Sequence, residues 1–101
     1  MSVVITEGGR KPLSIPDRLA APIEERAQAF ATLVAYAGPY TFAGDKVIHH
    51  VQVDAMQNRV NGDQVRFVTF LEKDKGMILR TPPISRGGVQ QTFELVWQRV
   101  E

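Results

Sequence analysis

Alternating hydrophobic and polar positions run through most of the second half of the chain. A period of two is typical of strands that bury one face. Short segments rich in Gly, Asn or Asp separate these runs, so consecutive strands are expected to pair as antiparallel hairpins. The first residues are also β-branched and precede Gly8-Gly9, which predicts one more strand. The predicted strands, about six, are residues 2–6, 40–43, 46–53, 64–71, 77–81 and 89–100.

Residues 22–37 have a different pattern, which predicts one amphipathic helix. Pro22 suits the first turn of a helix, where its missing N–H leaves no hydrogen bond unmade. Glu24 and Glu25 follow at the positive end of the helix dipole. Apolar residues recur at helical spacing, namely Ile23, Ala27, Phe30, Leu33 or Val34, and Ala37. Gly38-Pro39 is expected to end this helix.

The predicted turn at Gly44-Asp45 sets the facing of the strands on either side of it. A two-residue turn pairs residue 43 with residue 46, which places Tyr40 opposite His49 and Phe42 opposite Val47 on one face. The other face of this hairpin is mostly polar. The face with Tyr40 and His49 is therefore predicted to point inward, and residues 51 and 53 continue it.

The next hairpin carries apolar residues on both faces, and its pattern alone leaves the facing open. A turn at residues 73–74 or at residues 74–75 gives the same two sets of residues. One set is Arg66, Val68, Phe70, Met77, Leu79 and Thr81, and the other is Val65, Phe67, Thr69, Leu71, Ile78 and Arg80. In the last strand, one face carries Phe93, Leu95, Trp97 and Arg99.

Length and composition fit one globular domain over residues 1–101. Of the 101 residues 44% are hydrophobic and 23% are charged, which excludes collagen-like, low-complexity and disordered classes. A net charge of +1 without a basic block gives no support to nucleic-acid or membrane-surface binding. The absence of cysteine excludes disulfides and thiolate chemistry. Since no apolar stretch approaches the ~20 residues of a membrane span and the first ten residues lack a signal-peptide pattern, we predict a cytoplasmic protein.

Six short motifs resemble those of a known family. They are DRLAA at residues 17–21, VAYAGPY at 34–40, HHV at 49–51, DQVR at 63–66, TPPI at 81–84 and LVWQR at 95–99. In this order and spacing they are similar to the bacterial and fungal lipocalin-like domains, a family of small β-barrels. The resemblance covers nearly the whole chain. It implies a mainly β fold, an antiparallel up-and-down barrel or half-barrel with one α-helix near residues 22–37.

Two differences from that family bear on assembly and on the ligand. The resemblance implies a further N-terminal segment with a Trp on the first barrel strand, whereas Met1 falls where the family is already within an early strand. A barrel that lacks strands leaves open edges, which proteins usually cover. We therefore expect either a homodimer that joins two sheets or a truncated chain. The loop after the His pair usually carries an aromatic residue, and this chain has Arg59 there.

The resemblance also implies a facing for the second hairpin. Similar sequences place polar residues where Phe67, Thr69, Ile78 and Arg80 stand, so the set that contains Arg66 is expected to face inward. The predicted ligand-binding residues are then Tyr40, His49, Arg66, Thr81 and Trp97. Such polar groups at the mouth of an apolar cup suit a small, largely apolar molecule with one polar or anionic end.

Other interpretations of these residues stay open. Tyr40 and His49 can form a structural cross-strand pair, with Arg66 bound to an internal carboxylate such as Glu94. A small cyclase or isomerase would use His49 as acid and base, with Arg66 or Tyr40 stabilising developing negative charge. A homodimeric interaction module would instead use the exposed strand edges.

Metal, cofactor and nucleophile sites are not expected. His49 and His50 are adjacent in a predicted strand and therefore point to opposite faces, so they cannot bind one ion together. No arrangement of Ser, His and Asp in the sequence suggests a hydrolase.

Overall fold

The computed structural model describes residues 1–72 and 75–99. Its elements, in chain order, are β1 (Ser2–Thr6), α1 (Ile23–Ala31), β2 (Leu33–Ala37), β3 (Tyr40–Ala43), β4 (Lys46–His50), β5 (Val53–Asp54), β6 (Asp63–Phe70), β7 (Gly76–Arg80), β8 (Ile84–Arg86), β9 (Val89–Gln91) and β10 (Glu94–Gln98). A 3-10 turn covers Gln57–Arg59. The turn predicted near residues 73–75 and the end of the strand predicted at residue 100 include residues outside the described ranges.

Antiparallel sheets form most of the ordered secondary structure, which confirms the predicted mainly β fold. One sheet has three strands in the order β1-β2-β5, and the other has five in the order β10-β7-β6-β4-β3. β8 and β9 form a separate hairpin. The sheets do not close into a full barrel, so the fold is the half-barrel of the two predicted forms.

Two strands pass from one sheet into the other and connect the sheets at a corner. β2 leads into β3 through residues 38–39, and β4 leads into β5 through residues 51–52. The His50 N–H donates to the Pro39 carbonyl at 2.9 Å, and a second backbone bond follows at Gln52, so pairing continues through the bend. A Cβ on Gly38 would overlap the His50 carbonyl oxygen, so this corner requires glycine. Counted through the corner, β2–β3 and β4–β5 are two long strands, and the up-and-down order has six strands.

The predicted helix over residues 22–37 is wrong in its second half. The helix ends at Ala31, and the following segment forms β2. At the end of the helix the Thr32 hydroxyl donates to the Gln28 carbonyl at 2.8 Å. The β2 segment fits a helical apolar spacing, but it pairs along its whole length with β1. Its branched and aromatic residues suit a half-buried sheet, and this long-range pairing overrides the local periodicity.

The apolar stripe of the helix is exposed. Ile23 is 73% exposed and Phe30 is 53% exposed, and no residue of α1 is buried. Two arginines from outside the helix hydrogen-bond to its C-terminal end. Arg10 and Arg86 donate to carbonyls of the last turn at 3.2 Å each. Cations at this end also complement the helix dipole.

The predicted pairing across both hairpins is confirmed where the chain is described. Tyr40 lies opposite His49 in β3–β4, and Phe70 lies opposite Met77 in β6–β7. The prediction missed the β8–β9 hairpin, part of which was expected to be a connection. Buried hydrophobic residues are few, namely Ala21, Tyr36, Val51 and Leu79, and the buried polar residues are Thr32, His49 and Thr81.

Candidate functional site

One face of the five-stranded sheet gathers the residues that the sequence predicted to point inward. Strand registers place Val47 opposite Arg66, Val68 opposite Leu79, and Met77 opposite Trp97. We call this the inner face; it carries Tyr40, Phe42, Val47, His49, Gln64, Arg66, Val68, Phe70, Met77, Leu79, Leu95 and Trp97. The predicted grouping is therefore confirmed for these residues.

A hydrogen bond between Tyr36 and His49 joins the two sheets over one end of the inner face. The Tyr36 hydroxyl lies 2.8 Å from Nδ1 of His49, and both residues are buried. Tyr40 lies opposite His49 in the strand register, as predicted, but the hydrogen-bond partner of the imidazole is Tyr36. Tyr40 is 60% exposed. Tyr36 takes the position beside the imidazole because β2 crosses the corner and reaches the inner face of β4.

Burial favours the neutral form of both members of this pair. Burial lowers the pKa of His49 below its ordinary value, and the nearby charge of Arg66 lowers it further. Burial raises the pKa of Tyr36, against the opposing effect of the Arg66 charge. A neutral phenol next to a neutral imidazole can donate its proton to Nδ1, which leaves the N–H of His49 on Nε2. The pair therefore satisfies its own polar atoms inside the fold.

Arg66 is half-buried on the inner face, and its side chain hydrogen-bonds to neutral groups of its own strand. Its Nη1 donates to the Val65 carbonyl at 2.8 Å, and its Nη2 lies 3.5 Å from Oε1 of Gln64. Within residues 1–72 and 75–99 no carboxylate forms an ion pair with it. The predicted alternative partner Glu94 lies on the opposite face, opposite Arg80 in the strand register. Burial lowers the pKa of the Arg66 guanidinium, and its interaction with the Tyr36 side chain acts against this lowering.

A second arginine and one carboxylate complete the charges around Tyr36. Arg59 and Arg66 both act to lower the pKa of Tyr36, and Asp54 acts to raise it. Asp54 lies opposite Tyr36 in the β2–β5 pair. Its Oδ1 accepts the Met56 N–H at 2.7 Å, whereas its Oδ2 is buried and has no partner among the described residues. Two positive groups against one negative group make this end of the inner face electropositive.

Thr81 forms hydrogen bonds with the backbone of Phe93. Its hydroxyl accepts the Phe93 N–H at 2.9 Å, and its own N–H donates to the Phe93 carbonyl at 2.9 Å. These two bonds join the chain on either side of the β8–β9 hairpin. The Thr81 side chain is buried. Its hydroxyl therefore stabilises the fold at this position.

Trp97 lines a cleft at the other end of the inner face. The cleft measures about 450 Å³, and its lining residues are Phe70, Gly76, Met77, Trp97, Gln98 and Arg99. The rings of Phe42 and Phe70 lie 6.0 Å apart beside it. Phe70 is 55% exposed and Trp97 is 39% exposed, which is unusual for large apolar side chains on one surface. A cleft of this size and lining suits a small apolar molecule.

Tyr36 and Asp54 are not among the predicted site residues, and Arg59 is predicted only to lie in the loop after the His pair. The helix predicted over residues 22–37 includes Tyr36. The branched and aromatic residues of the segment LVAYA at 33–37 are a signal for a strand. The prediction that His49 and His50 point to opposite faces is confirmed, since His50 contacts Thr41 and Asp63 on the outer face. Among the described residues, no cluster of three metal-ligating side chains is present. None of the described helices is long and apolar enough to cross a membrane.

Comparison with known proteins identifies the family. The family model of the lipocalin-like domain matches residues 1–100, nearly the whole chain. The chain therefore belongs to the lipocalin-like domain family, as its motifs predicted. Searches of curated proteins and of solved structures gave no significant match.

Proposed function

We propose that this member of the lipocalin-like domain family binds a small, largely apolar molecule with an anionic end on the inner face of its half-barrel. The observation that carries the proposal is the combination, on one face, of Arg66, which forms no ion pair with a carboxylate of the described residues, and the largely apolar cleft at Trp97. The anionic end of such a ligand needs a positive charge, which Arg66 supplies. The apolar part needs an apolar surface, which the cleft at Trp97 supplies.

Arg66 is the proposed contact for the anionic end. Its planar guanidinium favours carboxylates, and a charge-assisted hydrogen bond in a half-buried place is stronger than one in water. Arg59 adds a second positive charge near Tyr36. Asp54 is one carboxylate against these two positive charges, so we expect the site to prefer an anion over a neutral ligand.

Phe70, Met77 and Trp97 are the proposed contacts for the apolar part. Burying their exposed apolar surface against a ligand would contribute roughly 25 cal/mol of binding free energy per Å². Arg66 and Phe70 lie four residues apart on β6, which is roughly 13 Å along a strand. This separation is on the scale of a medium-chain alkyl group, so a medium-chain fatty acid is a suitable probe.

The test uses Trp97, the only tryptophan of the chain, as a reporter inside the cleft. Decanoate and decanol share one alkyl chain and differ in the charge of the head group. Titration below their aggregation limits should change the Trp97 emission with both compounds, with the tighter binding for decanoate. Equal affinities would remove the anionic end from the proposal, and no change with either compound would remove the cleft.

Two arginine variants separate a specific contact from general electrostatics. Arg66→Met should weaken decanoate binding about tenfold or more and leave decanol binding unchanged. Arg80→Met is the matched control, because Arg80 lies on the outer face of the neighbouring strand and is exposed. Equal losses in both variants would show that only the net charge matters.

A cyclase or isomerase is the second candidate, and the Tyr36–His49 hydrogen bond at 2.8 Å favours it. In that case Tyr36, in place of Tyr40, stabilises developing negative charge, and His49 moves a proton. The discriminating measurement is the chemical identity of a bound molecule before and after incubation. A molecule released with changed structure by the wild type, but unchanged by His49→Gln, would favour the enzyme.

The expected homodimer is also a proposal. In the described part of the chain, β3 and β10 are the outer strands of the five-stranded sheet, and each has one side without a neighbouring strand. A second copy pairing at such an edge would satisfy its free backbone groups. Native mass spectrometry should then give twice the mass of the chain, whereas a monomer at all concentrations would reject the dimer.

A further inference from the structure

Three side chains on the outer face of the five-stranded sheet form a line of hydrogen bonds. Oγ1 of Thr41 lies 2.7 Å from Nε2 of His50, and Nδ1 of His50 lies 2.8 Å from Oδ1 of Asp63. A hydroxyl, an imidazole and a carboxylate in this order are the parts of an activated nucleophile. The line is on the opposite face from Arg66 and Trp97, so it is independent of the proposed ligand site.

Strand pairing places these residues next to one another. His50 lies directly opposite Asp63 in the β4–β6 pair. Thr41 lies opposite Ile48 in the β3–β4 pair, so it is the diagonal neighbour of His50. All three positions have the parity of the outer face. The arrangement therefore rests on the backbone of three adjacent strands.

The hydrogen bonds fix the proton positions that this chemistry needs. A carboxylate only accepts, so the Asp63 contact places the imidazole proton of His50 on Nδ1. In the neutral imidazole Nε2 then carries no proton and accepts the Thr41 O–H. In the same way a buried carboxylate sets the histidine tautomer in hydrolases that use a serine nucleophile. Asp63 thus acts as a positioning residue for His50.

The site is open to reagents from solution. Thr41 is exposed, and the side chains of His50 and Asp63 are 38% and 59% exposed. An exposed site lets water stabilise the developing oxyanion, but it supplies no binding energy for an unactivated ester. The suitable acyl donors are therefore those with good leaving groups, such as aryl esters and thioesters.

We propose that Thr41 is an acyl-accepting nucleophile, activated by His50 and Asp63, for aryl esters or thioesters. The Thr41 oxygen forms a bond to the acyl carbon while its proton moves to Nε2 of His50. The bond from the acyl carbon to the leaving group then breaks, and the proton leaves with the released phenol or thiol. The product is an ester on Thr41, and no oxidant or cofactor takes part.

The test is labelling with p-nitrophenyl acetate, followed by intact mass measurement and peptide mapping. Thr69 is the internal control, because it is also exposed on the outer face of the sheet and lies opposite Ile78, without a histidine. Acetylation of Thr41 should exceed that of Thr69 by roughly 100-fold, which is the lower end of what a positioned base contributes. Treatment with hydroxylamine removes acetyl esters and leaves acetylated lysines, so the two can be counted separately.

Variants make the outcome decisive. Thr41→Ser should keep the label, Thr41→Val should lose it, and Asp63→Asn should lower the ratio of Thr41 to Thr69 labelling about tenfold or more. A general loss of structure would raise both labels and leave no such selective change in ratio. Equal labelling of Thr41 and Thr69 in the wild type, or an unchanged ratio in Asp63→Asn, would overturn the proposal.

Discussion

The hydroxyl of Tyr36 lies 2.8 Å from Nδ1 of His49 and connects the three-stranded sheet to the five-stranded sheet. The two residues belong to strands that cross the corner of the half-barrel in opposite directions. Both residues are buried, so water cannot easily take the place of a lost partner, and breaking the hydrogen bond lowers the free energy of unfolding. This contact lies at one end of the inner face, and the cleft lined by Trp97 lies at the other.

Tyr36→Phe should destabilise the fold. It removes the hydroxyl and leaves the buried Nδ1 of His49 without a partner, at a cost of about 1–3 kcal/mol in the free energy of unfolding. Urea denaturation measures this cost. Tyr40→Phe is the control, since Tyr40 is 60% exposed and should change stability by less than about 0.5 kcal/mol. Equal effects of the two substitutions would show that the Tyr36 hydroxyl has no special role.

Acidification should destabilise the protein through His49. Burial holds the pKa of His49 below its ordinary value of about 6.5, so between these two values the unfolded chain binds more protons at this residue than the folded chain. Stability is therefore lost as the pH falls below about 6.5, and the loss ends once the pH passes below the folded pKa.

The measurement is the urea midpoint of the wild type and of His49→Gln at several pH values. Gln has no proton to gain in this range and can still accept the Tyr36 O–H. The advantage of the wild type over the variant should shrink as the pH is lowered. A difference that is constant with pH, or an imidazole titration of His49 by NMR with a midpoint above 6.5, would contradict the account.

Gly38→Ala should be among the most damaging small substitutions. The added methyl would overlap the His50 carbonyl oxygen at the corner, where the backbone atoms of two strands are in contact. The corner would have to open, and we expect a loss above about 4 kcal/mol or failure to fold. Gly8→Ala is the matched control, because a Cβ there meets nothing within 4 Å. A corner variant as stable as the control would show that the two sheets are not connected in this way.

The hairpins could be predicted from the sequence because their information is local. The Gly44-Asp45 turn predicted the pairing of Tyr40 with His49, and alternation grouped Phe70 with Met77 in the second hairpin and placed Trp97 on one face of the last strand. The facing of the β6–β7 hairpin needed more than its own pattern, since apolar residues stand on both of its faces.

The corner and the partner of His49 could not be predicted because their information is long-range. Residues 33–37 fit a helix as well as a strand, and only their pairing with residues 2–6 decides between these. Once that segment is assigned to a helix, Tyr36 is far from His49, and Tyr40 is the only tyrosine left on the strands. The error in one element therefore produced the error in the site.

Thr81→Val should lower stability without changing ligand affinity. It keeps the shape of the side chain and leaves the Phe93 N–H without its acceptor, at a cost of about 1–3 kcal/mol. Thr69→Val, at an exposed position, serves as the control. Both variants should bind decanoate like the wild type. Weaker binding with normal stability in Thr81→Val would instead return Thr81 to the ligand-binding set that the sequence predicted.

NMR of the protein titrated with decanoate shows whether a ligand occupies the inner face. The methyl group of Met77 and the indole N–H of Trp97 report on the cleft, and the methyl groups of Ile78 and Val96 report on the outer face of the same strands. We predict chemical-shift changes that saturate at Met77, Trp97 and the Arg66 guanidinium, with little change at Ile78 and Val96. Changes of equal size on both faces, or changes confined to Ile78 and Val96, would contradict binding on the inner face.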